Sequence, residues 1–274
     1  MKKLLLILGS VILLAGCGES TDNTKQEKKP VQEEKEKQSY QTEENSQSQH
    51  ETDGPSNDDK LTLEAAYFND IVELDGKKVI QNPENMMVLV NKEFALPEGY
   101  AANDLVRPNV SFSFGNQDIE KSYMRKEAAE ALEKMFSEAA NRQIHLFAVS
   151  GYRSYERQVQ VFNTEVQTVG REQAVQVVAV PGNSEHQTGL SMDISSESAN
   201  FALSERFGET PEGKWLVENA HKFGFILRYP NGKEGITGYQ YEAWHFRYVG
   251  EKAASEIYEN NLTLEEYFNV VEKI

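Results

Sequence analysis

Apolar positions divide the chain into three stretches. Directly after Met1-Lys2-Lys3 comes an apolar run from Leu4 to Leu14. Crossing a bilayer takes ~20 apolar residues, so this run is too short to span one and matches the core of a signal peptide, with residues 1–16 as the leader. From Gly18 to Lys60 the apolar pattern disappears, leaving Val31 and Tyr40 among Glu, Lys, Gln, Ser, Asn, Thr and Asp. Such a segment buries too little surface to offset its ordering entropy, so residues 17–60 are expected to form a disordered tether. By flexible-chain scaling, a tether of this length reaches some tens of ångströms.

The third stretch, 61–274, carries the periodicities of a folded domain. Phe68 to Val79 and Met86 to Val90 are β-prone, with Asp75-Gly76 as a hairpin turn. Met124, Ala128, Leu132, Met135, Phe136 and Ala139 recur at helical spacing, predicting an amphipathic helix over Lys121 to Arg142. A strand is predicted over Gln143 to Val149, broken by Gly151-Tyr152-Arg153-Ser154, and then a helix from Tyr155 to Val169 that Gly170 ends. A further helix is predicted from Pro211 to Phe223, with Pro in its first turn and Gly224 as its stop. Strands follow at Phe225 to Tyr229 and Tyr241 to Tyr248, then a last helix opened by the capping box Thr263-Leu264-Glu265-Glu266. Helices and strands interleave irregularly, and the late strands are close enough to pair antiparallel. The class expected is α+β, and no internal repeat is present.

Charge narrows the partners. The chain of 274 residues carries a formal charge of -16, and from Leu61 onward 32 acidic residues face 20 basic ones. No basic stripe exists to neutralise phosphates, which argues against nucleic acid. Cys17 is the single cysteine, and Leu14-Ala15-Gly16-Cys17 resembles a bacterial lipobox. That resemblance implies cleavage before Cys17, acylation of its thiol, and anchoring by lipid on the outer face of the cell membrane. No cysteine then remains for disulfide or thiol chemistry.

Five histidines are candidates for chemistry. His50 falls in the tether, His221 in a helix, and His145 in a strand at the opposite parity to Ile144 and Leu146; each reads as a surface or packed residue. His186 and His245 have company. In Asn183-Ser184-Glu185-His186-Gln187-Thr188-Gly189-Leu190-Ser191-Met192-Asp193, an aspartate follows the histidine by seven residues. In Tyr241-Glu242-Ala243-Trp244-His245-Phe246-Arg247-Tyr248, a glutamate precedes the histidine by three within an aromatic, strand-like run. A carboxylate in an apolar run is costly unless paired or hydrogen-bonded. On a straight strand, however, residues three apart face opposite sides, so one shared site needs a twist, a bulge or the strand's end. Together the two segments supply His, Asp, His and a spare Glu. That is the inventory of a catalytic zinc site: three protein ligands, an open position and a carboxylate that takes a proton from water. A serine nucleophile is disfavoured, because no Gly-x-Ser-x-Gly elbow exists.

These segments, with Ser150-Gly151-Tyr152-Arg153-Ser154-x-x-x-Gln158 before them, resemble the zinc D,D- and L,D-carboxypeptidases of the VanY and LdcB type, which trim the peptide stems of bacterial peptidoglycan. Leu89-Val90-Asn91-Lys92, Leu96-Pro97-Glu98-Gly99-Tyr100 and Asp104-Leu105-Val106 resemble the start of the same domain, so the likeness covers about Met86 to Gly250. It implies a small antiparallel sheet flanked by helices with the zinc site on the sheet, as in Hedgehog and D-Ala-D-Ala peptidases. It also implies His186, Asp193 and His245 as zinc ligands. Glu242 would take a proton from the zinc-bound water and deliver it to the leaving D-alanine. Arg153 would meet the terminal carboxylate or the oxyanion, with Gln158 and Ser184 as polar partners of that carboxylate. Trp244 and Tyr248 also match motif positions, but aromatics in a strand read first as core. Ser191 and Met192 stand where the family often has a small residue two before the Asp, and Ser is small enough for little effect.

The expectation is therefore a lipid-anchored zinc carboxypeptidase that releases a C-terminal D-alanine from peptidoglycan stem peptides. Both the tetrapeptide (L,D) and the pentapeptide (D,D) are candidate substrates. Leu-Pro-Glu-Gly-Tyr with the Tyr-Arg-Ser segment leans toward the LdcB type. An endopeptidase on the same scaffold would show an open cleft in place of a carboxylate-binding end, against which Arg153, Ser184 and Gln158 speak. A non-catalytic wall-binding lipoprotein would have lost Glu242 or a ligand, and all four are present.

Overall fold

A computed structural model of the chain describes residues 60–274. The leader, Cys17 and the tether up to residue 59 lie outside the described residues. The described chain opens with β1 (Thr62–Leu63), which pairs in parallel with the final strand, Glu272–Lys273, so both ends of the domain meet. Strands β2 (Ile71–Leu74) and β3 (Lys77–Ile80) form the expected hairpin. Its turn residues Asp75 and Gly76 have φ of 50° and 75°, the conformation that Asp-Gly hairpins favour. Strand β4 (Phe94–Ala95) adds parallel to β3.

Met86 to Val90 is not a strand. Its residues from Met87 on are buried, but side chains satisfy its backbone in place of a neighbouring strand. The carbonyls of Met86 and Val88 accept from Arg247 Nη2 at 3.3 and 2.8 Å, and Asn69 bonds both the N–H and the carbonyl of Leu89.

β5 (Leu105–Val106) pairs with β6 (Met124–Arg125), and this pairing shortens the predicted long helix. Met124 belongs to that strand, Glu120–Ser122 is a single 3-10 turn, and α1 spans Lys126–Asn141. The expected stripe is otherwise intact: Ala128, Leu132, Met135, Phe136 and Ala139 are all buried. Fully burying one such leucine stabilises the fold by roughly 1.5–3 kcal/mol.

The remaining elements build the central sheet and its cover. In order they are β7 (Phe147–Ser150), α2 (Tyr155–Val169), α3 (Arg171–Val177), β8 (Ser191–Ser195), α4 (Pro211–Asn219), β9 (Phe225–Leu227), α5 (Glu234–Thr237), β10 (His245–Tyr248), α6 (Glu251–Glu259), α7 (Leu264–Val270) and β11 (Glu272–Lys273). The sheet runs β7-β8-β10-β9, antiparallel throughout. The α+β class with a small antiparallel sheet stands as expected. α2 has its predicted limits, and the capping box at Thr263 forms in both directions. The strands predicted from Gln143, to Tyr229 and from Tyr241 are shorter than their apolar runs, because only the residues with ladder partners are extended. No described helix is long and apolar enough to cross a membrane.

Period-two alternation gives the sheet two faces. Met192 and Ile194 of β8 and Phe246 and Tyr248 of β10 are buried in one core cluster with the α1 stripe. Asp193 on β8, and His245 and Arg247 on β10, alternate with them and are directed to the opposite face, where the chemistry lies.

Candidate active site

Strand register brings the site together. His245 is the first residue of β10 and lies directly opposite Asp193 of β8, so the two side chains share a face. Their atoms approach to 2.9 Å, His245 Nδ1 to Asp193 Oδ1. His186 sits in the 3-10 turn Glu185–Thr188 before β8. Gly189 then turns the chain back into the strand at φ 70°, a conformation strained for other residues, and a Cβ there would also press Leu105 Cδ2 at 2.7 Å. His186 Nε2 ends 3.4 Å from Asp193 Oδ2. The rings of His186 and His245 meet edge to face at 4.9 Å.

Glu242 resolves the parity problem raised by its spacing. It is not in the strand: residues 242–245 form a turn, in which the His245 N–H bonds the Glu242 carbonyl at 3.2 Å. The turn carries Glu242 Oε2 to 3.8 Å from His245 Nδ1. Arg153, Ser184, His186, Asp193, Glu242 and His245 all line one cavity of about 250 Å³. Gln158 does not. It is fully buried behind Arg153, accepting from Arg153 Nη1 at 3.0 Å and donating to the Ala179 carbonyl at 2.7 Å. Trp244 packs against the core and also lines the cavity, whereas Tyr248 is core and donates to Glu127. His145 is exposed, and His221 stacks on Tyr258 at 3.8 Å. His50 lies outside the described residues.

Several site residues were not singled out from sequence. Val161, Tyr229, Tyr239, Asn183 and Val177 to Ala179 also line the cavity, and Tyr229 stacks on His245 at 5.1 Å. Glu185 is buried at its edge and approaches His245 Nε2 at 3.3 Å. Arg228 and Arg247 hold Glu185 at 2.7 and 2.9 Å. The signal was available: a charged residue inside an apolar strand run, the argument that picked out Glu242, also applies to Arg228 and Arg247.

Electrostatics sort these groups. Burial lowers His186 to a pKa of about 3, so its imidazole is neutral, and its Nδ1 donates to the Gly151 carbonyl at 2.7 Å. That tautomer leaves the Nε2 lone pair facing Asp193. Burial also opposes charge on His245, but its hydrogen bonds with Asp193 and Glu185 prevail and raise it to about 10. Burial penalises the Asp193 carboxylate as well, yet His186, His245 and Arg153 outweigh it and lower its pKa. Burial raises Glu242 to about 7.

Among the described residues, His186, Asp193 and His245 form the one cluster of metal-type donors, with one ligand atom from each within 4.8 Å of the others. Nitrogen and oxygen ligands lie ~2.0–2.2 Å from a zinc ion, so donors sharing one tetrahedral ion are roughly 3.3 Å apart. Each histidine meets its own Asp193 oxygen near that spacing, His245 Nδ1 at 2.9 Å from Oδ1 and His186 Nε2 at 3.4 Å from Oδ2. Two imidazoles and a carboxylate, with Glu242 alongside as a non-ligand, fit a catalytic zinc.

The profile described as VanY: D-alanyl-D-alanine carboxypeptidase matches residues 121–251, from the turn before β6 to the start of α6. YodJ of Bacillus subtilis (strain 168), whose name carries a provisional carboxypeptidase assignment, is 51% identical over 265 residues, covering 97% of this chain and 94% of its own. The solved structure of the LdcB LD-carboxypeptidase is 57% identical, with a TM-score of 0.77, and covers 78% of this chain and 100% of that one. A structure of the vancomycin-resistance D,D-pentapeptidase VanY in complex with Zn(II) is 32% identical, with a TM-score of 0.54, and covers 67% and 99%. Fold, site and relatives agree: the chain is a carboxypeptidase and belongs to the VanY family of D-alanyl-D-alanine carboxypeptidases.

Proposed function

We propose that the protein is a zinc-dependent carboxypeptidase that removes the C-terminal D-alanine from peptidoglycan stem peptides, with the tetrapeptide as its preferred substrate. The observation that carries the reading is the convergence of His186, Asp193 and His245 beside Glu242 and Arg153 at one cavity. His186 Nε2, Asp193 and His245 Nδ1 would hold the ion, which when bound acidifies water and polarises the scissile carbonyl. Glu242 accepts a proton from the attacking water and passes it to the amine of the departing D-alanine. Its raised pKa suits both halves of that transfer. The Arg153 guanidinium, fixed by Gln158, binds the substrate's terminal carboxylate or the oxyanion, and Ser184 offers a hydroxyl beside it. A carboxylate-binding end of this kind suits release of a terminal residue better than cutting within a chain.

The preference for the tetrapeptide is supported by the higher identity to the LdcB LD-carboxypeptidase than to the D,D-pentapeptidase. Incubation with purified muropeptides followed by mass spectrometry tests it. Tetrapeptide stems are expected to lose one alanine faster than pentapeptide stems; loss of alanine from neither would defeat the proposal. The same reading holds the protein to the outer face of the membrane by lipid on Cys17, supported by the Leu4–Leu14 run and the Leu-Ala-Gly-Cys sequence. Cys17→Ala is expected to move the protein from the membrane fraction to the soluble fraction, and unchanged fractionation would sink the anchor.

A further inference from the structure

Glu185 stands between two residues already placed at the site, yet its side chain is fully buried and turned away from solvent. Its two oxygens have separate partners. Oε1 accepts from Arg228 Nε at 2.7 Å and Arg247 Nη1 at 2.9 Å, while Oε2 faces His245 Nε2 at 3.3 Å. Arg228 continues outward to a two-pronged pair with Glu265 on α7, at 2.8 and 2.6 Å. The result is a buried chain of alternating charge from the C-terminal helix to one imidazole of the metal cluster. Glu265 lies beyond the residues matched by the family profile.

Burial of this many charges is expensive and gives little net stability, since well-packed apolar side chains would serve the fold as well. A purely structural pair would also not require the second carboxylate oxygen to meet the far nitrogen of a ligand ring. His186 supplies the parallel: its non-ligating nitrogen is likewise fixed, by the Gly151 carbonyl. A ligand histidine whose other nitrogen is held by a carboxylate or carbonyl has its tautomer and ring orientation set in advance.

We propose that Glu185 is a positioning residue of the metal centre: clamped by Arg228 and Arg247, its carboxylate holds the proton on His245 Nε2 and keeps Nδ1 directed at the ion, and Glu265 extends this support to the C-terminal helix. The inference rests on the zinc reading above.

The test uses the full-length protein and variants Glu185→Gln and Glu265→Gln. Zinc affinity is read by competition with a chromophoric chelator, ring geometry by the visible spectrum of the cobalt-substituted protein, and folding by the thermal melt of the metal-free protein. Glu185→Gln is expected to lose ~10–100-fold in zinc affinity and to shift the cobalt spectrum, as changes at such supporting groups do. Glu265→Gln is expected to show a smaller loss in the same direction. Wild-type affinity and spectrum in Glu185→Gln overturn the inference, whatever happens to its melting temperature. If that variant fails to fold, Glu185→Gln/Arg247→Gln, which removes opposite charges together, is read against the same two outcomes. A wild-type chain that binds no zinc would overturn the metal reading itself, and is thereby distinguished from a failure at Glu185.

Discussion

Replacing Glu242 by Gln keeps the shape of the side chain and removes its ability to take a proton. The carboxyl lies on the cavity wall with 26% of its side-chain surface exposed, and burial raises its pKa to about 7, with Asp193 and Glu185 adding to the rise and His245 and Arg153 opposing it. A base poised near the working pH contributes ~10²–10⁴-fold, or roughly 3–5.5 kcal/mol of barrier. Glu242 lies 3.8 Å from His245 Nδ1, a proposed ligand, and falls outside the proposed ligand set, so the variant should keep its metal. The pH dependence has a definite sign. The charged form is the active one, so activity rises with pH through the carboxyl's pKa and falls on acidification. A nearby dication favours that charged form, which puts the midpoint at or below pH 7. The assay is release of D-alanine from a stem peptide across pH, with zinc content and thermal melting measured on the same samples. Glu242→Gln is expected to lose 10²–10⁴-fold in kcat, to hold KM and zinc, and to lose the acidic limb of the profile. A zinc-loaded variant turning over within about tenfold of wild type would refute the assignment.

Three further outcomes follow from the same geometry. Arg153→Lys gives up the fork that reaches both Gln158 and the cavity, and hydrogen bonds to charged groups are worth about 1.5–3 kcal/mol, so kcat/KM should fall roughly 10–150-fold, mostly through KM, with zinc unchanged. Leu132→Ala, at the fully buried centre of the α1 stripe, should cost about 2–5 kcal/mol in denaturant unfolding while leaving zinc affinity intact. Gly151→Ala would put a Cβ 2.5 Å from the Tyr123 carbonyl and 2.8 Å from Met192 Cε; because the Gly151 carbonyl anchors His186, both stability and zinc affinity should drop. Wild-type zinc affinity in that variant would detach the carbonyl from ligand orientation.

The legible parts of the fold were those in which local chemistry and tertiary demand agree. The α1 stripe, the limits of α2 and the Thr263 capping box each pair a periodic or capping pattern with the environment it predicts. Errors arose where backbone partners come from far away. Met86 to Val90 is apolar like a strand, but its carbonyls answer to Arg247, a residue 159 positions on from Val88. Met124 keeps helical spacing with Ala128 but is drawn into pairing with Val106. The short α3 and α6 were missed because seven to nine residues carry little periodic signal.

The site shows the same division. His186, Asp193, His245 and Glu242 could be proposed from residue types and spacing, but the turn that lets Glu242 face the site is a tertiary fact. Gln158 was expected at the substrate and supports Arg153 instead, since nothing in a sequence separates contact with a ligand from contact with a side chain that meets it. Glu185 was hidden by adjacency to two stronger candidates.

Whether His186, Asp193 and His245 form one metal centre is decided by elemental analysis of the purified full-length protein. About one zinc per chain is predicted for the wild type, and near none for His186→Ala or His245→Ala at unchanged circular dichroism. Full occupancy after removal of either imidazole, or an active wild-type protein without metal, would contradict a shared centre.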